Sequence, residues 1–149
     1  MRAVIQRVRE ASVDVGGATV GSISDGLLVL AGFCDEDDDR NLRSMADKIL
    51  NLRIFEDEAG KMNLSLLETN GSILVVSQFT LYADCRKGRR PSFIGAAKAD
   101  RANELYEQFV KVLRQSPVRV ETGVFQAMME VRLNNWGPVT IVLDTKELS

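Results

Sequence analysis

The sequence predicts a mixed α/β fold, a curved and barrel-like β-sheet system with two main helices packed outside it. Three observations carry that expectation. Short runs that alternate apolar and polar residues, or are apolar throughout, recur along the chain and read as about seven or eight strands. Two longer stretches show the spacing of an amphipathic helix instead. Turn signals such as Gly16-Gly17 and Asn70-Gly71 separate the strand-like runs.

The elements follow in order. Ala3 to Val8 alternates and reads as a strand. Ala11 to Val15 and Ala18 to Ile23 flank Gly16-Gly17, a hairpin signal because both glycines accept positive φ. Gly26 to Phe33 is almost continuously apolar, as a strand buried on both faces would be. The acidic run Asp35 to Asp39 opens a helix whose Leu42, Met45, Ala46, Ile49 and Leu50 share one face. Its alternating aspartates resemble a calcium loop, but Arg40 stands where such a loop needs glycine. The helix-terminus reading is therefore preferred.

Asn70-Gly71 forms a turn before a second buried strand, Ser72 to Phe79. Ala102, Leu105, Tyr106, Phe109, Val112 and Leu113 mark the second helix, stopped before Pro117. Val118 to Phe125, Met129 to Leu133 and Val139 to Leu143 supply the closing strands, with Asn134-Asn135-Trp136-Gly137 as the turn between the last two.

At 149 residues and 45% hydrophobic content, residues 1–149 are expected to form one domain with a real core. No apolar run approaches the roughly 20 residues of a membrane span, and none follows Met1-Arg2 as a signal peptide would. Cys34 and Cys85 lie in no metal-ligand spacing, which points to a reducing, cytoplasmic setting. The net charge of −2 means that any nucleic-acid contact must come from a local patch. Most informative is the absence of histidine. It removes Ser-His and Cys-His nucleophiles, a histidine base and the usual zinc sites; no metal or cofactor is expected.

Three constellations remain. Ser77-Gln78-Phe79-Thr80-Leu81-Tyr82 groups hydroxyls, an amide and an aromatic ring where a buried strand gives way to a loop. These groups either satisfy local backbone or line a small substrate pocket, with main-chain N–H groups and Thr80 near a reacting carbonyl and Phe79 as a wall. Arg86-Lys87-Gly88-Arg89-Arg90 is either a solvated loop or a phosphate-gripping one for an RNA end. Gly137-Pro138 starts the last strand, and the physical default for its peptide bond is trans.

From end to end the chain resembles the D-aminoacyl-tRNA deacylase family. Ile5-Gln6-Arg7-Val8, Ala11-Ser12-Val13 and Gly26-Leu27-Leu28-Val29 match its opening; Asn51-Leu52-Arg53-Ile54-Phe55 and Gly60-Lys61-Met62-Asn63 match its middle. Its two signatures are Ser77-Gln78-Phe79-Thr80-Leu81 and Gly137-Pro138-Val139-Thr140, with Arg90-Pro91-Ser92-Phe93 between them.

The resemblance implies hydrolysis of D-aminoacyl-tRNA by a homodimer with active sites at its interface. It implies that Ser77, Gln78, Phe79 and Thr80 of one subunit line the pocket and that Gly137-Pro138 of the other is inserted into it, with a cis bond that reverses the default. Arg7 is expected to hold that loop, and Phe125 and Met129 to lie near the terminal adenosine of tRNA. The free 2′-hydroxyl of that adenosine's ribose is implied as the group that helps activate water, with Thr80 as nucleophile the alternative. A non-catalytic RNA-binding module and an esterase for small free esters are the rival classes. Two departures from the family pattern stand out: Trp136 replaces the acid usual before Gly-Pro, and Gln126 and Met128 replace a small residue and an acid.

Overall fold

The computed structural model describes residues 1–148. Its elements are β1 (Arg2–Val15), β2 (Ala18–Ile23), β3 (Gly26–Gly32), α1 (Asp39–Asn51), β4 (Phe55–Glu56), β5 (Met62–Leu64), β6 (Ser72–Ser77), α2 (Ala99–Leu113), β7 (Arg119–Thr122) and β8 (Glu130–Asp144), with short 3-10 turns between some of them. Strands run in the order β2-β1-β3-β6-β7, and β8 pairs with β1. Residues 2–6 of β1 pair with β3 and β8 at once, so these two lie on opposite edges of β1. β3, β6 and β7 are parallel to one another.

The sheet curls until its ends nearly meet. Arg119 on β7 donates to the Ser22 carbonyl on β2 at 3.5 Å. Gly21 permits the approach: a Cβ there would lie 2.5 Å from the Thr122 carbonyl oxygen. This is the expected barrel-like sheet.

Alternation along the strands sorts their side chains into two cores. Ala3, Ile5, Leu27, Val29, Ala31, Ile73 and Val75 pack with the apolar faces of α1 and α2. Val8, Val13, Leu28, Leu74 and Val76 point the other way, into the curl of the sheet. β3 and β6 are thus buried on both faces, as their apolar runs predict. Both helices lie on the same outer face of the sheet. Leu42, Met45, Ala46, Ile49 and Leu50 are the buried side of α1, as their spacing requires. Asp38 caps α1 by accepting from the Asn41 N–H at 3.0 Å, which gives the acidic run its structural role.

The segmentation of strands differs from the sequence reading in several places. Ala3–Val8 and Ala11–Val15 form one strand, whose pairing continues past register shifts, one of them at exposed Arg9 and Glu10. Met129–Leu133 and Val139–Leu143 are likewise one strand, and the expected turn at 134–137 is a bulge within it. β6 stops at Ser77, so Phe79 belongs to the following 3-10 turn. β4 and β5, of two and three residues, are too short to leave a periodic signal.

Candidate functional site

The bulge in β8 is the most irregular feature of the sheet. Gln6 pairs with Thr140 and Val8 with Asn135, so four residues, Trp136 to Val139, stand opposite Arg7 alone. Proline cannot donate to a ladder, which suits Pro138 to this looped-out place. The Gly137-Pro138 bond is cis, as the resemblance implies and against the general default. Gly137 has φ +137°, a conformation that L side chains rarely adopt. Both residues are exposed, so the bulge presents main chain to its surroundings.

Two side chains hold it. Asn135 accepts from the Val139 N–H at 2.8 Å and donates to the Val139 carbonyl at 3.2 Å. Arg7, only 3% exposed, donates from Nε to the Trp136 carbonyl at 2.9 Å and from Nη1 to the Ile54 carbonyl at 2.7 Å. It occupies the next inward position after Ala3 and Ile5, which turns a core site into an anchor for the bulge. Sequence reasoning reached Arg7 through the resemblance but missed Asn135. A side-chain amide at the entry of an irregular turn was the available signal.

The second segment lies at the end of β6. Ser77 pairs with Ala31, and the Gln78 N–H donates to the Ala31 carbonyl at 2.8 Å. Residues Phe79–Tyr82 then form the 3-10 turn. Phe79 and Thr80 open that turn, where N–H groups find no partner within the helix. The Gln78 side-chain amide donates to Thr80 Oγ at 2.5 Å. An amide is no base, and it is the one side-chain partner of Thr80 among the described residues. Phe79 is 55% exposed and packs edge-on against Phe93 at 5.1 Å between centroids, an open apolar wall.

Phe125 and Met129 flank the same strand. Phe125 lies against Tyr106 at 5.9 Å, and the Tyr106 hydroxyl donates to the Val75 carbonyl, one pleat before Ser77. Burial pushes the Tyr106 hydroxyl up to about 12, so it remains a neutral donor. Met129 covers Gly123 beside Val76. Gln126 takes a positive φ of 63°, and Met128 is 91% exposed.

The basic residues Arg86, Lys87, Arg89 and Arg90 are all exposed. Arg86 faces Asp84 through two bonds of 2.9 and 2.7 Å. The Arg86 guanidinium and main-chain N–H draw the Asp84 carboxyl down to about 2, so the pair is charged at neutral pH. Part of the expected positive charge is thus neutralised locally. Among the described residues no group of three His, Cys, Asp or Glu side chains could hold a metal ion.

The structure therefore brings Ser77, Gln78, Phe79, Thr80, Phe125 and Met129 to one end of β6, and Arg7, Gly137 and Pro138 to another place. Arg7 is level with Leu27 of β3, whereas Ser77 is level with Ala31. Those four residues correspond to about 13 Å along the strands. Laterally, β8 and β6 are separated by β1 and β3. The two segments do not meet within one copy of the chain.

Fold and site together define a small mixed α/β protein that offers main chain, hydroxyls and amides, with no imidazole. The D-Tyr-tRNA(Tyr) deacylase family model matches residues 4–144, and the chain belongs to that family. It is 59% identical to the D-aminoacyl-tRNA deacylase of Halothermothrix orenii and 57% identical to that of Thermosipho africanus, covering 99% of both chains in each comparison. A solved structure titled c-Myc DNA Unwinding Element Binding Protein superposes with a TM-score of 0.92 at 44% identity, covering 97% of this chain and 98% of that one.

Proposed function

We propose that this chain hydrolyses the ester of D-aminoacyl-tRNA and of glycyl-tRNA while sparing L-aminoacyl-tRNA, a chiral proofreading activity of the cytoplasm. Kinship along 99% of the chain with proteins named for D-aminoacyl-tRNA deacylation supports the reaction class. The working unit is a homodimer, in which Gly137-Pro138 of one protomer enters the pocket formed by Ser77 to Thr80 of its partner. One observation carries this arrangement: the exposed bulge and the strand-end cluster lie about 13 Å apart along the strands of a single copy. Two copies related by a twofold axis would join them reciprocally. Val142, 68% exposed, and Leu133 flank the bulge along β8 and supply apolar surface for that contact.

The chemistry asks little of side chains. An aminoacyl ester is already reactive, so fixing it against main-chain N–H donors at Phe79 and Thr80 stabilises the oxyanion that water addition creates. Removing one such donor costs about 3–4 kcal/mol in known hydrolases. Proton transfer falls to the 2′-hydroxyl of the substrate's own ribose. Handedness is read by steric exclusion: a rigid main chain at the α-carbon blocks an L side chain and leaves room for hydrogen or a D side chain.

Single-turnover deacylation of D-alanyl-, L-alanyl- and glycyl-tRNA by the purified protein tests this reading, with sedimentation reporting the dimer. Cleavage of the D and glycyl substrates alone is the expected result. Equal cleavage of L-alanyl-tRNA would overturn the exclusion filter, and a fully active monomer would overturn the shared site. The exposed basic loop, together with the DNA-binding name of the 44% identical structure, favours a second reading as a nucleic-acid-binding module. Binding of tRNA without release of the amino acid would select it.

A further inference from the structure

The bulge is held from outside as well as from beneath. The Arg7 guanidinium carbon lies 4.4 Å from the Trp136 ring centroid, and that of Arg9 lies 3.7 Å from it. Arg7 reaches the indole from the buried side of β1, and Arg9, at the register shift of that strand, reaches it from the solvent side. Arg9 is itself steadied by Asp25, 3.6 Å away at the end of the β2–β3 turn. Trp136 thus engages cations through its ring while its carbonyl accepts from Arg7 Nε at 2.9 Å. The indole is half-buried and immediately precedes Gly137.

From this geometry we infer that Trp136 and Arg9 are positioning residues for the Gly137-Pro138 main chain and set how strictly the L side chain is excluded. The inference rests on the exclusion reading proposed above. The physical argument concerns rigidity. Arg7 fixes the Trp136 carbonyl and Asn135 fixes Val139, and among the described residues no side-chain hydrogen bond reaches Gly137 or Pro138 between them. The ring contact with Arg9 adds a further hold on the solvent side, at the residue next to Gly137, where Arg9 is 54% exposed. Main chain braced on that side as well as at its two ends resists turning aside when an L side chain presses on it. A cation over an indole also keeps more of its attraction in salt than an exposed ion pair, because part of that attraction is contact between surfaces.

Trp136 is the single tryptophan of the sequence, so intrinsic fluorescence reports this contact directly. The experiment compares wild type with Arg9→Ala, Trp136→Ala and Trp136→Phe in the intact protein. It reads kcat/KM on D-alanyl- and L-alanyl-tRNA, together with the emission maximum of the variants that retain the indole. Arg9→Ala is expected to shift emission to the red and to lower the D-over-L ratio roughly two- to fivefold, the equilibrium weight of one exposed cation–π contact. Trp136→Ala should lower it at least as far, and Trp136→Phe, which keeps an aromatic face, should restore most of it. Because Arg9 is a surface residue, its variant keeps the inference testable even if Trp136→Ala folds poorly. A selective wild type whose ratio is unchanged by Arg9→Ala, with the emission shift present, overturns the inference while leaving the filter intact. A wild type that cleaves both substrates equally overturns the filter, and this inference with it.

Discussion

Asn135 binds both main-chain groups of Val139, accepting its N–H at 2.8 Å and donating to its carbonyl at 3.2 Å. One side chain thereby closes the mouth of a four-residue bulge that would otherwise leave two backbone groups without a ladder partner. Asn135→Ala is expected to cost about 1–2 kcal/mol of stability, since both main-chain groups lose their bonds in a half-buried setting. Asn135→Asp keeps the acceptor for Val139 N–H but sets an oxygen against the Val139 carbonyl. It should therefore also destabilise. Urea unfolding midpoints check both values, and unchanged midpoints would mean that the bulge holds its shape without Asn135.

The pairing of Arg2 with Asp144 ties the start of β1 to the end of β8 at 2.9 Å. Burial alone would raise the Asp144 carboxyl. The Lys146 N–H, the Arg2 guanidinium and the amino terminus together hold it below its ordinary value. A carboxyl lowered by folding stabilises the native state above its unfolded value, and that contribution disappears as pH falls through the folded value. Asp144→Asn should therefore cost about 0.5–1 kcal/mol at pH 7, a modest sum because Arg2 is partly exposed. The difference from wild type should close as pH drops below the ordinary aspartate range near ~4. A gap that stays constant from pH 7 to acid would contradict the assignment.

Arg86 is already engaged by Asp84, so the four cations of the basic loop should not contribute equally to tRNA binding. Replacing Lys87, Arg89 or Arg90 with glutamine should lower the slope of log affinity against log salt by roughly 0.7–0.9 for each phosphate that is no longer neutralised. Arg86→Gln should lower it less, and Asp84→Asn should strengthen binding by releasing Arg86. Filter binding at several salt concentrations reads all of these. Slopes unchanged throughout would make the loop a solvated one.

How much of this was legible from sequence depended on how far each feature relied on unbroken periodicity. The faces of α1 and the two-sided burial of β3 follow from residue spacing, and the structure reproduces them residue by residue. The Gly16-Gly17 hairpin follows from turn chemistry, with φ of 57° and 81°. Strand continuity in β1 and β8 was hidden because a bulge inserts residues that reverse the alternation while hydrogen bonding resumes beyond it. Ser77 to Thr80 and Gly137-Pro138 were found as motifs, and Arg7 through resemblance. The Arg9–Trp136 contact could not be read, because it depends on where the bulge folds back.

Thr80 accepts from the Gln78 amide and has no basic side-chain partner among the described residues. Thr80→Ala should therefore retain substantial deacylation of D-alanyl-tRNA, because the main-chain donors stay in place. Loss of a true nucleophile costs roughly a million-fold. A loss on that scale, or a trapped threonyl ester found by mass spectrometry, would assign the hydroxyl a covalent role.

Gly137 offers the sharpest test of a main-chain filter, because geometry forbids it a side chain. At φ +137° any L residue is strained, by about 1–3 kcal/mol. A Cβ would also lie 3.0 Å from Arg7 Nη2 and 2.9 Å from Val139 Cγ2. Arg7 cannot retreat, being buried and held by the Trp136 and Ile54 carbonyls. The bulge must then move, and its carbonyls with it. Gly137→Ala should lower kcat/KM on D-alanyl-tRNA by roughly 10- to 100-fold, the effect of a displacement of about 1 Å in a positioned group. Gly16→Ala is the control. Gly16 also has a positive φ, 57°, but a Cβ there meets nothing within 4 Å, and it lies in the β1–β2 turn. It should cost stability without lowering the rate per folded molecule. If Gly137→Ala turns over D-alanyl-tRNA as fast as Gly16→Ala does, the Gly137-Pro138 main chain does not touch the reacting substrate.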